Sequence, residues 1–379
     1  MRLNRREMLL GTATLTLLNS PFFSARGNTL PKRNLIVIML RGGMDGLTAV
    51  PSNDPTLNHL RPDIAVRGVN KISSDFSLHP SLKAFADLWH KEQAAIVHST
   101  NIPYVMRSHF EGQNLMETGA HTPYAEYTGW LGRGLDAAEM TGLSLSLPMP
   151  LILRANMASD NFFPSRFKIP NDKLLRRISS SFEENALLDQ AMQQVLSRPR
   201  SMLVSSSPRN AVNLAETAAT EMKKSNGPRV AVFDFDGFDT HAAQGGDDGL
   251  AGEKLNSVDE LINTLHVGLG DAFADTLIIT LTEFGRKVEQ NGGYGTEHGY
   301  GTAILLCGGL LKKAQVLADW PGLKTKNLFE GRDLNATIDA RAIYCSAMAT
   351  CFGVDFDYLR KKVFWNDELP NYTEQLFKI

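Results

Sequence analysis

Short, unbroken apolar runs alternate along this chain with stretches of helical spacing. Asn34–Leu40, Ala94–His98, Arg229–Phe233, Thr276–Leu281 and Thr302–Cys307 are rich in Ile, Val and Leu and lack a polar alternation. That is the pattern of strands buried on both faces of a parallel sheet. Between them, Pro80–His90, Ser108–Thr118, Phe182–Leu196, Asn210–Lys224, Gly252–Leu269 and Asp339–Phe352 carry helical spacing, which predicts helices with one face toward a core. Leu147–Leu153 reads as a further strand. Residues 154–180 show little periodicity, and 154–207 is expected to form an insertion or cap. Strands alternating with helices predict an α/β three-layer α/β/α sandwich with a largely parallel central sheet.

The first thirty residues stand outside this alternation. Arg2, Arg5 and Arg6 make a basic start, followed by an apolar stretch from Met8 to Phe23 that Thr and Asn interrupt. The stretch is too short and too polar for a membrane span and has the layout of an export signal. Asn4–Leu10 (NRREMLL) resembles a twin-arginine signal. Residues 1–30 are therefore expected to be a targeting segment, 31–379 a single domain, and the mature protein periplasmic or secreted. No later stretch is apolar enough to span a membrane.

Composition narrows the class. The chain has 379 residues, a formal net charge of −2, 43% hydrophobic and 21% charged residues. These values suit a globular core and exclude a disordered chain. The near-neutral balance gives no electrostatic case for nucleic acid. Cys307, Cys345 and Cys351 lie in no zinc-type spacing and read as buried thiols.

The chemistry-bearing residues gather at the ends of the apolar runs, where open α/β sheets place ligands. Asp239 and His241 follow the run at 229–233, two positions apart, so an extended backbone turns both toward one side. Glu283 ends the run at 276–281 and precedes Phe284, Gly285 and Arg286. His298 lies in a glycine-rich segment before the run at 302–307. Asp45 sits in the glycine turn after the first run. Asp, Glu and His without Cys are the ligand set of a hard or borderline divalent metal. Ser108 and Glu111 have the spacing of a capping box. A serine at a helix start also lies among free backbone N–H groups that attract anions.

Taken in order, Leu40–Gly46, Arg107–Glu111, Thr118–Gly119, Thr128–Leu131, Gly237–His241, Thr282–Arg286, Thr296–Gly299, Asp319–Leu323 and Gly331–Asp333 resemble a bacterial exported family of unknown function, numbered 1501, within the alkaline phosphatase and sulfatase superfamily. The resemblance implies an alkaline-phosphatase-like fold and a metal-dependent hydrolase of phosphate or sulfate esters. It implies Ser108 as nucleophile, with Arg286 or Arg107 holding the anionic group of a small-molecule ester. Asp239, His241 and His298 would hold one ion, and Asp45 with Glu283 another. Zinc suits this set best, with manganese or calcium as alternatives. One departure stands out: Phe284 occupies a place where the superfamily has histidine. His109 or Arg107 are the residues that could supply the missing group. The competing expectation is a degenerate exported protein on the same fold that binds a glycan or a protein partner.

Overall fold

The computed structural model describes residues 33–146, 148–156, 159–162, 172–180, 211–366 and 368–379. Residues 33–379 form one compact unit. The expected targeting segment, the helix at 182–196 and most of 154–207 lie outside the described residues.

The core is a sheet of nine described strands. In chain order they are β1 (Asn34–Leu40), β2 (Ala94–Asn101), β3 (Gly142–Ser144), β4 (Asp160–Asn161), β5 (Val230–Phe235), β6 (Thr276–Leu281), β7 (Thr302–Cys307), β8 (Gln315–Leu317) and β9 (Ile338–Asp339). Their spatial order is β8-β2-β7-β6-β1-β5-β3-β4, with β9 also on β2. Every pairing is parallel except the two made by β7, which runs antiparallel to both β2 and β6.

Among the described residues, the helices that cover this sheet include α1 (Lys83–His90), α2 (His109–Thr118), α3 (Trp130–Ala138), α4 (Ala211–Met222), α5 (Leu250–Leu269) and α6 (Ala340–Phe352). Alternate strand residues go to opposite sides. Leu35, Val37 and Met39 pack with Leu115, Trp130, Leu135 and Met348 from α2, α3 and α6. Ile36, Ile38 and Leu40 pack with Phe85, Leu88, Ala218, Leu255 and Leu261 from α1, α4 and α5. Both faces of β1 are thus apolar and sealed, which is why the run shows no alternation. The three-layer sandwich with a largely parallel sheet is as expected.

Two details differ from expectation. The strand lies at Gly142–Ser144, and Leu151–Leu153 is a 3-10 turn instead. Helix α3 was not anticipated: Gly132 and Gly134 dilute its pattern, yet a Cβ on Gly134 would meet Met348 Sδ at 2.4 Å. Close approach to α6 explains that glycine.

Candidate metal centre

Parallel strands β1, β5 and β6 end on one edge, and their exit loops meet there. Phe238 N–H donates to the Arg41 carbonyl (3.1 Å), joining the β1 and β5 exits. Gly42 has φ +113°, and a Cβ there would lie 2.4 Å from the Asp239 nitrogen, so only glycine lets the loops touch. The Arg286 guanidinium, fully buried, locks this junction. It donates to the carbonyls of Gly42, Gly43, Phe238 and Thr296 and to Asp239 Oδ1.

Four side chains converge above that lock. His298 Nε2 lies 3.0 Å from His109 Nε2, 2.9 Å from His241 Nε2 and 3.2 Å from Asp239 Oδ1. His241 Nε2 is 3.1 Å from Asp239 Oδ1, and His109 Nε2 is 3.4 Å from Asp239 Oδ2. His109, Asp239 and His298 have donor atoms all within 4.8 Å of one another.

The other ring nitrogens decide the protonation. His109 Nδ1 faces Glu283 Oε1 at 2.8 Å, His298 Nδ1 faces the Arg107 carbonyl at 2.9 Å, and His241 Nδ1 faces Glu297 Oε2 at 3.1 Å. Each partner is an acceptor, so each Nδ1 must carry the hydrogen. A neutral imidazole then leaves Nε2 as a bare lone pair. Three lone pairs and a carboxylate pointing at one another repel unless a cation or a proton on one ring sits among them. Imidazoles held through Nδ1–H to carboxylates and carbonyls are the usual outer support of a metal site. The spacings among His109, Asp239 and His298, 3.0–3.4 Å, fit as well: donors about 2.0–2.1 Å from a four-coordinate ion stand about 3.3 Å apart. The residues present therefore fit a divalent ion.

The electrostatics favour ionised carboxylates and a neutral His298, but a protonated His109. Burial alone would raise the Asp239 pKa, but the hydrogen bond and charge of Arg286 outweigh it and hold the carboxyl below its ordinary range. Glu283 is likewise pushed up by burial but ends low, because His109, Gln113 and the Gly42 N–H donate to it. Burial lowers the His298 pKa, which favours the neutral ring. The Glu283 hydrogen bond, the largest influence, raises that of His109.

Of the residues named from sequence, Asp239, His241 and His298 come together. Glu283 stands one layer behind them and orients His109. Asp45 does not join the cluster. It caps the one-turn helix Gly46–Ala49 through Leu47 N–H and is held by Arg61, Thr48 and Gln244. Arg286 is not free for a substrate anion, since internal acceptors take its donors. Arg107 is also committed: its guanidinium pairs with Asp333 and Glu330. What Arg107 gives the cluster is its carbonyl, presented from a left-handed φ of +58°.

Ser108 is the N-cap residue of α2, directly before His109, but it makes no side-chain cap bond. The expected capping box is absent, because Glu111 instead accepts from the Tyr104 hydroxyl at 2.7 Å. Phe284 is fully buried, with its ring 4.9 Å from those of His109 and His298. It walls the cluster where a ligand was expected.

Sequence reasoning named His109 only as a stand-in. It gave no role to Asp333, which is buried and holds both Arg107 and Arg332. Arg332 in turn donates to the His298 carbonyl at 2.8 Å. The signal for His109 was its place just after a helix-start serine.

Fold and site together define an α/β sandwich with a carboxylate–histidine cluster at the strand ends. The family model described as "Protein of unknown function (DUF1501)" matches residues 32–353, and the chain belongs to that family. No curated protein matches the sequence. Among solved structures, the chain is similar to the C-terminal periplasmic domain of EptC from Escherichia coli at 9% identity, covering 90% of this chain and 88% of that one (TM-score 0.44). It is similar to murine ectonucleotide pyrophosphatase/phosphodiesterase 5, solved with AMP, at 9% identity, with 91% and 100% covered (TM-score 0.43). It is also similar to Ps i-CgsB, solved with k-i-k-neocarrahexaose, at 13% identity, with 90% and 75% covered (TM-score 0.40). The fold assignment rests on the sheet order and two-faced core described above.

Proposed function

We propose that this chain is an exported, metal-dependent hydrolase of phosphate or sulfate esters, acting in the periplasm or outside the cell. The observation that supports it is the convergence of three Nε2 lone pairs on Asp239. His109, Asp239, His241 and His298 would hold the ion. Three imidazoles and one carboxylate suit zinc best, manganese less well, and calcium least, because calcium takes oxygen ligands. Such an ion, when bound, supplies Lewis acidity toward an ester oxygen and lowers the pKa of a nearby hydroxyl.

The chain's own residues supply the rest. Ser108 is the nucleophile in this reading, next in sequence to a ligand. The first turn of α2 offers backbone N–H groups without intrahelical acceptors, which suit the oxygens of an anionic ester. Arg286 contributes by keeping Asp239 ionised and in place rather than by touching substrate. Among the described residues no helix is long and apolar enough to cross a membrane, which is compatible with export of a small-molecule hydrolase.

The test is metal content and a panel of phosphate and sulfate esters, for wild type, His241→Ala and Ser108→Ala. Bound zinc is expected in wild type and lost in His241→Ala. Ser108→Ala should keep the metal and lose turnover; undiminished turnover would remove Ser108 from its role. A metal-free, inactive wild type would favour the second reading, a degenerate binding protein. That reading has its own support in Met106 and Phe110, 73% and 81% exposed beside His109.

A further inference from the structure

We infer that this chain holds one ion, not two, and that Glu283 is a positioning residue for His109 rather than a ligand. The inference rests on the metal-centre reading above. A second ion needs carboxylate lone pairs that protein donors have not already taken; of the two carboxylates proposed for it, Asp45 has none to spare and Glu283 keeps one, on a fully buried Oε2.

Glu283 Oε1 accepts three donors at once: Gly42 N–H at 2.9 Å, Gln113 Nε2 at 2.9 Å and His109 Nδ1 at 2.8 Å. Its other oxygen accepts from Thr282 Oγ1 at 3.2 Å. The Gln113 amide cannot turn away, because its own oxygen accepts from Arg41 Nη1 at 3.0 Å. Asp45 is equally engaged, with Thr48 Oγ1 at 2.8 Å, Gln244 Nε2 at 2.7 Å and Arg61 Nη1 at 2.5 Å.

Two further carboxylates at this edge share one protein cation. Arg41, at the exit of β1, pairs with Asp234 at 2.6 Å and with Glu117 at 2.9 Å. A divalent ion placed there would face that guanidinium and would have to break its pairs. Phe284 fills the position from which a histidine would reach. Where a second ion would sit, the chain has built a fixed network of N–H donors. Its line of contact runs Arg41, Gln113, Glu283, His109, and ends at the first ion's ligand.

The experiment is a zinc titration of chelator-stripped full-length protein, followed by calorimetry and by elemental analysis after desalting. One equivalent is expected. Two equivalents would overturn the inference and leave the hydrolase reading standing; no binding at all would sink both. Glu283→Gln should weaken zinc binding about 10–100-fold, as loss of a ligand's outer partner does, while the count stays at one. In the cobalt-loaded protein the same variant should shift the visible absorption, since the donor strength of His109 changes. A fall from two equivalents to one would make Glu283 a ligand. An unchanged affinity and spectrum would remove its positioning role. The wild-type count decides the number of ions even where the variant does not fold.

Discussion

Asp45 and Asp239 look alike in sequence: each follows an apolar strand by a few residues, in a loop with glycine and near threonine. In the folded chain they have opposite surroundings. Asp45 is 5% exposed and meets only donors, from Leu47, Thr48, Arg61 and Gln244. Asp239 keeps its side chain 43% exposed and meets one donor, Arg286, on one side and imidazole lone pairs on the other. The first is a closed ion pair that fastens a loop. The second is an open charge that calls for a cation. A carboxylate's role is set by what answers it, and the answering groups come from elsewhere in the chain.

The largest effect that would sharpen this contrast is on stability. Asp45→Ala strands the Arg61 guanidinium, itself 1% exposed, and removal of one partner from such a buried pair costs about 3–5 kcal/mol. Urea unfolding should show that loss, while metal per folded molecule stays at the wild-type value. A drop in metal content without a loss of stability would reverse the assignment of the two aspartates.

Next comes acid. His98 is fully buried beside the closed network, with Nε2–H donating to the Val50 carbonyl at 3.0 Å and Nδ1 accepting from Ser99 N–H at 2.8 Å. Burial pushes its pKa down to about 4 from 6.5. Between those values the unfolded chain takes a proton that the folded one refuses, so stability rises with pH. Equivalently, it is lost as pH falls from 6.5 toward about 4, by about 3 kcal/mol at about 1.4 kcal/mol per pH unit. A chelated sample that keeps its stability through this window would contradict the sealed setting of His98.

The smallest effect belongs to the open site. On the proposed metal reading, chelation should lower the stability of wild type by about 2.7 kcal/mol relative to a sample in zinc at 100 times the dissociation constant, seen as a lower melting temperature. It should leave His241→Ala unmoved. Equal chelator sensitivity in both proteins would place the ion elsewhere.

The contrast also marks what the sequence could reveal. Strands β1, β6 and β7 fall at their expected bounds because runs buried on both faces need no partner to be recognised. Helix α3 escaped because Gly134 serves packing against α6 and Gly132 close approach to Leu153–Ala155, which spacing does not record. Asp239, His241 and His298 were legible as polar residues at strand ends. Asp45 was misplaced because its answer, Arg61, lies sixteen residues on in no pattern. The setting of Glu283 was not legible, because nothing local shows that Gly42 from the β1 exit and His109 and Gln113 from α2 converge on it.

The antiparallel strand β7 has a bearing on how the molecule comes into being. It alone joins the strands β8, β2 and β9 to the rest of the described sheet. His109 follows β2, whereas Asp239 and His241 follow β5, so the cluster's side chains descend from the two halves that β7 sews together. It is also made late: the ribosome reaches it just after His298. A nascent chain therefore cannot close the cluster before the His298 loop and the strand that follows it have been made.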